Sequence, residues 1–289
     1  MSVQTWKILD LLRSTAHYFE TRGAGAPRLA AERLLAHVLS CKRVDLYLAG
    51  ERVLNDAELD GYRGLVRAHA RGEPLQYLVG ETEFMGLPLR TDRRALIPRP
   101  ETEILVEAVR QRFAKRLAPP RFLELGTGCG AIAVSLAAAL PRAEVWCTEL
   151  RAETAALARE NCRRHGVEAR VQVVVTDAFA ALAPELEASF DALVSNPPYV
   201  RSDELAGLPA LVRDHEPLVA LDGGEDGVFF HRFLCNEGVR FLAPGGTLAV
   251  EIGADQGAAV RGLFVAAGFQ DVTVLRDYAG HERVVLGLR

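Results

Sequence analysis

Strand-like and helix-like segments alternate along the chain from residue 121 onward, and this alternation limits the possible folds more than any other feature. An apolar run, Phe122–Leu125, is followed by the Ala-rich helical segment Ala131–Leu140, and the pattern then repeats. Because parallel strands need long crossover connections, the alternation predicts an α/β fold with a mostly parallel sheet and helices on both faces. The last two apolar runs are joined by a short link, which predicts a terminal antiparallel strand. The other predicted strands are Glu144–Thr148, Val171–Val175, Ala192–Ser195, Thr247–Ile252, Val272–Leu275 and Val284–Leu288, and the other predicted helices are Thr154–His165 and Ala258–Ala267.

The first 75 residues have a different pattern, which is helical throughout. Apolar residues recur at helical spacing in Ile8–Ala16 and again in Ala31–Leu39. Asn55, with Glu58 three residues later, resembles a capping box and predicts a third helix. This segment contains no constellation of catalytic residue types. We therefore predict that residues 1–75 form a small helical bundle whose role is substrate docking.

A short connecting segment, residues 76–97, separates the bundle from the α/β domain. Two apolar pieces with glycines between them, Tyr77–Gly80 and Phe84–Leu89, predict a β-hairpin linker. The α/β domain then covers residues 98–289 and begins with a helix whose start is defined by two prolines in Leu96–Glu103.

Composition excludes several classes of protein. The chain has 289 residues, and 34 Lys+Arg against 38 Asp+Glu give a net charge of −4, which argues against a stable nucleic-acid partner. The five cysteines are scattered without C-x-x-C spacing, so we expect neither disulfides nor a metal site, but reduced thiols in a cytoplasmic protein. No apolar stretch approaches the roughly 18 residues of a membrane span, so no membrane association is expected.

A glycine-rich turn, Gly126–Gly130, follows the first strand of the α/β domain and opens a helix. Glycines allow the backbone to approach a ligand closely, and a helix N-terminus offers free N–H groups. Glu149, at the end of the second strand, can accept both hydroxyls of a ribose. After the third strand, Asp177 and Phe179 are expected to flank an adenine, with Phe179 either stacking on the ring or filling the core. The turn also fits a dinucleotide fingerprint, so it does not by itself identify the cofactor.

The tetrapeptide Asn196-Pro197-Pro198-Tyr199 ends the fourth strand of the α/β domain. The Asn196 side-chain oxygen and the Pro197 carbonyl can accept the two N–H bonds of a planar nitrogen, which orients that nitrogen and stabilises positive charge developing on it. Tyr199 can stack on the planar group. No strong base is needed, because the proton can leave after the new bond forms. These residues therefore indicate transfer of a one-carbon group from a nucleoside cofactor to a planar nitrogen.

Several motifs, taken in order, resemble those of one known family. The chain is similar to the release factor glutamine methyltransferases, which are class I S-adenosylmethionine-dependent methyltransferases. Each motif alone has little specificity, but the ordered set covers nearly the whole chain. The motifs are Glu73–Tyr77, Ile97–Glu103, Glu124–Ala133, Ser195–Tyr199, Glu216–Pro217, Ala220–Gly224, Glu251–Gly253 and Asp277–Arg283.

The resemblance implies a Rossmann-like class I methyltransferase sheet with an N-terminal helical bundle. It also implies methylation at N5 of the glutamine in the Gly-Gly-Gln motif of class I peptide-chain release factors, with S-adenosylmethionine as donor and S-adenosylhomocysteine as product. The expected substrate-binding residues are Asn196, Pro197, Pro198 and Tyr199, and those expected to be catalytic are Asn196, Pro197 and Tyr199. The expected cofactor-binding residues are Gly126, Thr127, Gly128, Cys129, Gly130, Glu149, Asp177, Ala178, Phe179 and Asn196.

Three positions depart from the family pattern. Glu149 stands where Asp is frequent, and it should keep ribose binding. Ala178 stands where some relatives have Trp, which leaves Phe179 as the candidate for adenine stacking. Cys129 stands where Ser or Thr is common, a change that should not alter the chemistry.

Three other functions are compatible with parts of the sequence. A nucleic-acid base methyltransferase acting on adenine N6 or guanine N2 would use the same tetrapeptide on a flipped-out base. A nicotinamide-dependent oxidoreductase would use the glycine pattern but leaves Asn196–Tyr199 unexplained, and a regulator would bind the cofactor without catalysis. We expect a monomer that docks the release factor through the bundle and the C-terminal edge of the sheet.

Overall fold

The computed structural model describes residues 5–23 and 25–289, and the chain divides into two compact units, Met1–Glu81 and Thr82–Arg289. This division falls inside the segment that the sequence analysis treats as a linker. The functional boundaries that we drew after residues 75 and 97 stay predictions.

The first unit is helical, as the periodicity predicts. Its core includes the fully buried side chains of Ile8, Phe19 and Tyr62. The predicted capping box is present, because Asn55 Oδ1 accepts from the Glu58 N–H at 2.9 Å and the Glu58 carboxylate accepts from the Asn55 N–H at 3.0 Å. The helices are α1 Ile8–Glu20, α2 Pro27–Val38, α3 Arg43–Leu48, α4 Asp56–Ala70 and α5 Leu75–Val79, of which α3 was not predicted.

The hairpin is present, but it begins later in the chain than predicted. Its strands are β1 Glu81–Phe84 and β2 Leu87–Arg90. The strand predicted at Tyr77–Gly80 is wrong, because α5 occupies this position, starting after Pro74 and ending at Gly80 in the left-handed conformation. A short apolar run does not distinguish helix from strand, whereas a preceding Pro and a following Gly are helix boundary signals.

In the described part of the second unit, seven strands form one sheet in the order β5-β4-β3-β6-β7-β9-β8. The strands from β5 to β7 pair in parallel, and β9 is antiparallel to both β7 and β8, as predicted for the chain end. The strands are β3 Arg121–Leu125, β4 Glu144–Glu149, β5 Val171–Val175, β6 Phe190–Ser195, β7 Leu242–Glu251, β8 Gln270–Arg276 and β9 Glu282–Leu288. The helices of this unit are α6 Thr102–Phe113, α7 Ala131–Ala139, α8 Ala152–Arg164, α9 Ala210–Arg213, α10 Phe229–Asn236 and α11 Gly257–Ala266.

Helices cover both faces of this sheet. Successive residues of a strand point to opposite faces, so Val194 joins the core beneath α6, α7 and α8, while Leu193 joins the core beneath α10 and α11. The strands are therefore buried on both faces, which explains why they appear in the sequence as continuous apolar runs. The described helices include none with the length and apolar character needed to cross a bilayer.

The strand order changes direction at β3, and this positions the site. Along the chain, β4 and β5 are added on one side of β3, and β6 and β7 on the other. The loops that follow β3 and β6 therefore diverge and leave a crevice at the carboxyl ends of these strands. In doubly wound sheets such a crevice is the usual place for a ligand.

Candidate active site

A cavity opens at the carboxyl ends of β3, β4, β5 and β6. The segments that follow these four strands contribute to the wall of the cavity. The residues around the start of α6 and a loop between β6 and α10 also contribute to this wall. Among the described residues, those that line it and were predicted from the sequence are Gly126, Thr127, Gly128, Cys129, Glu149, Asp177, Ala178, Asn196, Pro197 and Pro198. The three predicted residues outside the lining are Gly130, Phe179 and Tyr199.

The glycine-rich turn has the strand–turn–helix form that the sequence predicts. Its three glycines all have positive φ, and Gly128, at +56°, donates its N–H to Glu149 Oε2 at 3.0 Å. Gly130 has a structural role instead: it precedes α7, and a Cβ there would lie 3.3 Å from Ala158 Cα on α8. The turn thus combines a part that lines the cavity with a part that packs two helices together.

Cys129 lies in this turn and contributes to the cavity wall, but its thiol is buried. Burial raises the pKa of the Cys129 thiol to about 12. All five cysteines lie in described segments and are free thiols. A protonated, buried thiol is a poor nucleophile, so Cys129 acts here as a small apolar wall residue.

Glu149 lies at the end of β4 with its carboxylate held by the backbone. Oε2 accepts the Gly128 N–H at 3.0 Å, and Oε1 accepts the Arg151 N–H at 3.1 Å. Burial is the main cause that raises the pKa of the Glu149 carboxyl. Each oxygen uses one lone pair for these bonds, so each retains another for a ligand donor. Two acceptors held side by side match the spacing of two adjacent hydroxyl groups.

The segment after β5 only partly matches its prediction. Asp177 is exposed and Ala178, at φ +44°, is half-buried, and both line the cavity. Phe179 does not line the cavity. It is 3% exposed and stacks on Phe233 at a ring-centroid distance of 5.7 Å. It also contacts Phe241 at 5.0 Å. Of the two roles that the sequence left open, Phe179 has the core one, and its predicted stacking on adenine is corrected.

The Asn196 side chain is bound to residues that the sequence analysis did not identify as site residues. Its Nδ2 donates to Thr102 Oγ1 at 3.0 Å, and Thr102 Oγ1 donates to Glu251 Oε2 at 2.5 Å. The Tyr199 hydroxyl donates to Glu251 Oε1 at 3.3 Å. What the structure shows for Tyr199 is therefore a contact to Glu251, and its stacking on the substrate stays a prediction.

Two buried carboxyls, those of Glu124 and Glu251, lie at the cavity wall and behind it, respectively. Glu124, in β3, lines the cavity; its Oε2 accepts from Thr127 Oγ1 at 2.9 Å, and its Oε1 has no partner among the described residues. Burial raises the pKa of Glu124 to about 8 and that of Glu251 to about 7. A carboxylic residue inside an otherwise apolar strand is costly to bury. Glu124 and Glu251 each stand in such a strand, so this signal in the sequence could have identified both as candidate site residues.

The loop between β6 and α10 forms the opposite wall of the cavity. Pro217, Val219 and Ala220 line it. The preceding residue, Glu216, is buried; it accepts the Ile97 N–H at 3.1 Å and pairs with Arg99 at 2.5 Å. The loop is thereby tied to the segment that leads into α6.

The same loop also packs closely on the tetrapeptide. A Cβ at Gly223 would lie 2.7 Å from Tyr199 Cα, so only glycine allows this approach. The Gly223 N–H donates to the Val200 carbonyl at 2.7 Å, and the Val200 N–H donates to Leu221 at 3.0 Å. These bonds hold the residues after Tyr199 against the loop.

Two solved methyltransferase structures share this fold. The hMettl16 catalytic domain, in complex with MAT2A 3'UTR hairpin 6, matches with a TM-score of 0.59 and 15% identity over 88% of this chain and 91% of that chain. The T. thermophilus 16S rRNA N2 G1207 methyltransferase, in complex with AdoMet and guanosine, matches with a TM-score of 0.51 and 20% identity over 72% of this chain and 49% of that chain. A family model described as methyltransferase small domain matches residues 100–213. The fold is that of the class I S-adenosylmethionine-dependent methyltransferases.

The sequence relatives narrow this class. A family model described as PrmC N-terminal domain matches residues 10–80. A release factor glutamine methyltransferase of Moorella thermoacetica is 44% identical over 92% of this chain and 93% of its own length. One of Geobacter sulfurreducens is 40% identical over 98% of this chain and 97% of its own length. The chain belongs to the release factor glutamine methyltransferase family.

Proposed function

We propose that this chain transfers the methyl group of S-adenosylmethionine to the side-chain amide nitrogen of the glutamine in the Gly-Gly-Gln motif of class I peptide-chain release factors. One observation carries the proposal beyond family membership. Asn196 and Pro197 line the same cavity as the glycine-rich turn and Glu149, so an amide acceptor site and a nucleoside-type site adjoin each other.

The residues of the cavity suit S-adenosylmethionine. Glu149 has two acceptor oxygens for the ribose hydroxyls, and Asp177, exposed at the wall, can accept from the adenine amine. The Oε1 of Glu124, which has no hydrogen-bond partner within residues 5–23 and 25–289, suits the ammonium group of the methionine part. When bound, the cofactor supplies an electrophilic methyl group on a sulfonium.

The chain's own part in the reaction is to orient and stabilise the substrate amide. An amide nitrogen is a weak nucleophile because its lone pair is delocalised into the carbonyl. If Asn196 Oδ1 and the Pro197 carbonyl accept its two N–H bonds, they fix its plane and stabilise the positive charge that grows on it. After methyl transfer the nitrogen carries an acidic proton that water can take, so no buried base is needed.

The relatives also decide between the proposed substrate and the base methyltransferase alternative. The high-coverage curated relatives are named release factor glutamine methyltransferases. The RNA-bound and guanosine-bound neighbours are 15% and 20% identical, so they support the fold and not the substrate. We further propose that the enzyme acts as a monomer in the cytoplasm, where its translation-factor substrate is found.

Methyl transfer to a release factor is the direct test. Labelled methyl from S-adenosylmethionine is expected on a purified class I release factor, and not on the same factor with its Gly-Gly-Gln glutamine changed to alanine. Equal labelling of the two factors would contradict the proposed site. Labelling of added rRNA or DNA, with none on either factor, would move the function to base methylation.

The first unit exposes apolar side chains that suit docking of the release factor. On α3, Val44 and Leu48 lie one helical turn apart and are 58% and 82% exposed. Leu48→Asp is expected to raise KM for the release factor about tenfold, since a docking residue typically contributes 1 kcal/mol or more. Affinity for S-adenosylhomocysteine should stay within about twofold of wild type.

The matched control for this docking prediction is Leu117→Asp. Leu117 is 88% exposed and precedes β3, which is the first strand of the seven-stranded sheet along the chain. The Leu117→Asp variant should leave KM for the release factor unchanged. Equal KM values for Leu48→Asp and wild type would rule out α3 as the docking surface.

A further inference from the structure

The proposed reaction requires one particular orientation of the Asn196 amide. Its Oδ1 must face the substrate as an acceptor, because a substrate amide nitrogen offers only N–H donors. The other orientation would present the Asn196 NH₂ group to those donors. Nothing in the geometry of an asparagine side chain favours one orientation, so its hydrogen-bond partners must decide it.

Glu251 is placed to make this decision from behind the cavity wall. It ends β7, is completely buried, and is not among the described residues that line the cavity. Its Oε2 accepts from Thr102 Oγ1 at 2.5 Å. An ionised carboxylate is an acceptor only, so it takes the single hydroxyl proton of Thr102.

Thr102 transmits this constraint to Asn196. With its proton directed at Glu251, Thr102 Oγ1 presents only lone pairs toward Asn196, 3.0 Å away. The group that meets those lone pairs must be a donor, namely the Nδ2 of the amide. Asn196 lines the cavity, and its Oδ1 then remains available as an acceptor.

We propose that Glu251, acting through Thr102, is a positioning group that holds the Asn196 amide with Oδ1 toward the substrate. This inference rests on the proposed amide-binding role of Asn196 and deepens it. The charge on Glu251 is the essential property: a protonated Glu251 can itself donate to Thr102, whose proton is then free to turn toward Asn196 and accommodate the reversed amide.

The surroundings of Glu251 bear on when it carries that charge. Burial raises its pKa to about 7, while the hydrogen bonds from Thr102 and Tyr199 lower it; Glu101 raises it and Arg283 lowers it through charge. On the side of α10, His231 Nε2 is 2.8 Å from the Glu251 backbone carbonyl. Protonation of Glu251 removes the proposed constraint on Asn196. We therefore expect kcat to fall as the pH decreases through the Glu251 pKa of about 7.

The test measures methylation of the release factor and binding of S-adenosylhomocysteine by wild type, Thr102→Val and Thr102→Ser. Thr102→Val keeps the shape and removes the hydroxyl, and kcat is expected to fall about 10- to 100-fold, as for a misplaced catalytic group. Affinity for S-adenosylhomocysteine should change less than about twofold, and Thr102→Ser should recover kcat to within about threefold of wild type.

Thr247→Val is the matched control. Thr247 is buried on β7, the strand that ends at Glu251, and its hydroxyl has no partner among the described residues. The control should keep wild-type kcat. A wild-type kcat for Thr102→Val would overturn this inference alone, whereas a wild type that does not methylate the factor would overturn the proposed function as well.

The pH profile gives a readout that a purely structural role would not move. Wild-type kcat is expected to fall on the acid side with an inflection near the pKa of about 7. Glu251→Gln cannot titrate and should lose that inflection. Retention of the same acid-side fall by Glu251→Gln would overturn the inference; if that variant does not fold, the Thr102 variants decide.

Discussion

Asn196→Ala is expected to lower kcat for release factor methylation by about 10²- to 10³-fold, the range seen when one preorganised hydrogen-bonding group that stabilises a transition state is removed. The reason is that the proposed acceptor for the substrate N–H is lost where positive charge develops on the nitrogen. Affinity for S-adenosylhomocysteine should stay within about threefold, because Glu149 and the glycine-rich turn remain.

This prediction is checked by single-turnover methyl transfer, with calorimetric titration of S-adenosylhomocysteine on the same preparations. The matched control is Asn236→Ala, at the exposed end of α10, which should behave as wild type in both measurements. Near-normal turnover of Asn196→Ala would rule out the amide-holding role. A large loss of cofactor affinity with normal saturating turnover would assign Asn196 to the cofactor instead.

Glu149→Ala is expected to have the opposite effect to Asn196→Ala: it should weaken cofactor binding and leave kcat nearly unchanged. Affinity for S-adenosylhomocysteine should fall about 10- to 100-fold, since hydrogen bonds to a charged group typically contribute 1.5–3 kcal/mol. The Gly128 N–H, which donates to Glu149 at 3.0 Å, also loses the partner that helps to hold the turn in its conformation. At saturating S-adenosylmethionine, kcat should stay within about fivefold of wild type, because Glu149 is not proposed to contact the substrate amide.

The control for this prediction is Glu153→Ala. Glu153 is exposed in the first turn of α8, is not among the described residues that line the cavity, and pairs with Arg151, which does line it. The variant therefore removes a nearby carboxylate while the Arg151 N–H keeps its bond to Glu149. Calorimetric affinities and the thermal midpoints of both variants are compared with wild type. Unchanged affinity in Glu149→Ala would show that this carboxylate does not hold the ribose.

The elements of the second unit were largely predictable from the sequence. The predicted strand Val171–Val175 has the same bounds as β5, and the predicted helix Ala131–Leu140 exceeds α7 by one residue. Central parallel strands are buried on both faces, so each requires a continuous apolar run that is easy to recognise. The terminal antiparallel strand β9 followed from the short link before it, because a parallel connection would need a crossover.

The errors occur where a local pattern is compatible with two structures. Tyr77–Val79 is too short for its periodicity to separate helix from strand, and the structure places α5 there. The helix α3 spans only six residues, less than two turns, so periodicity does not reveal it either. Phe179 follows a strand in a turn, where the two-residue alternation ends, and only its packing on Phe233 and Phe241 shows that it points into the core.

The order of the elements, the glycine-rich turn, and the presence of Glu149 and Asn196 at the ends of their strands can all be predicted from the sequence alone. These properties are local, or follow from the rule that the carboxyl ends of parallel strands share one edge of a sheet. The groups that hold the Asn196 amide, in contrast, become visible only once the chain is folded. Thr102 is 94 positions from Asn196 and 149 from Glu251, and no local pattern links them. Such contacts depend on how α6 packs against the ends of β6 and β7, because distant side chains meet only when the fold brings their elements together.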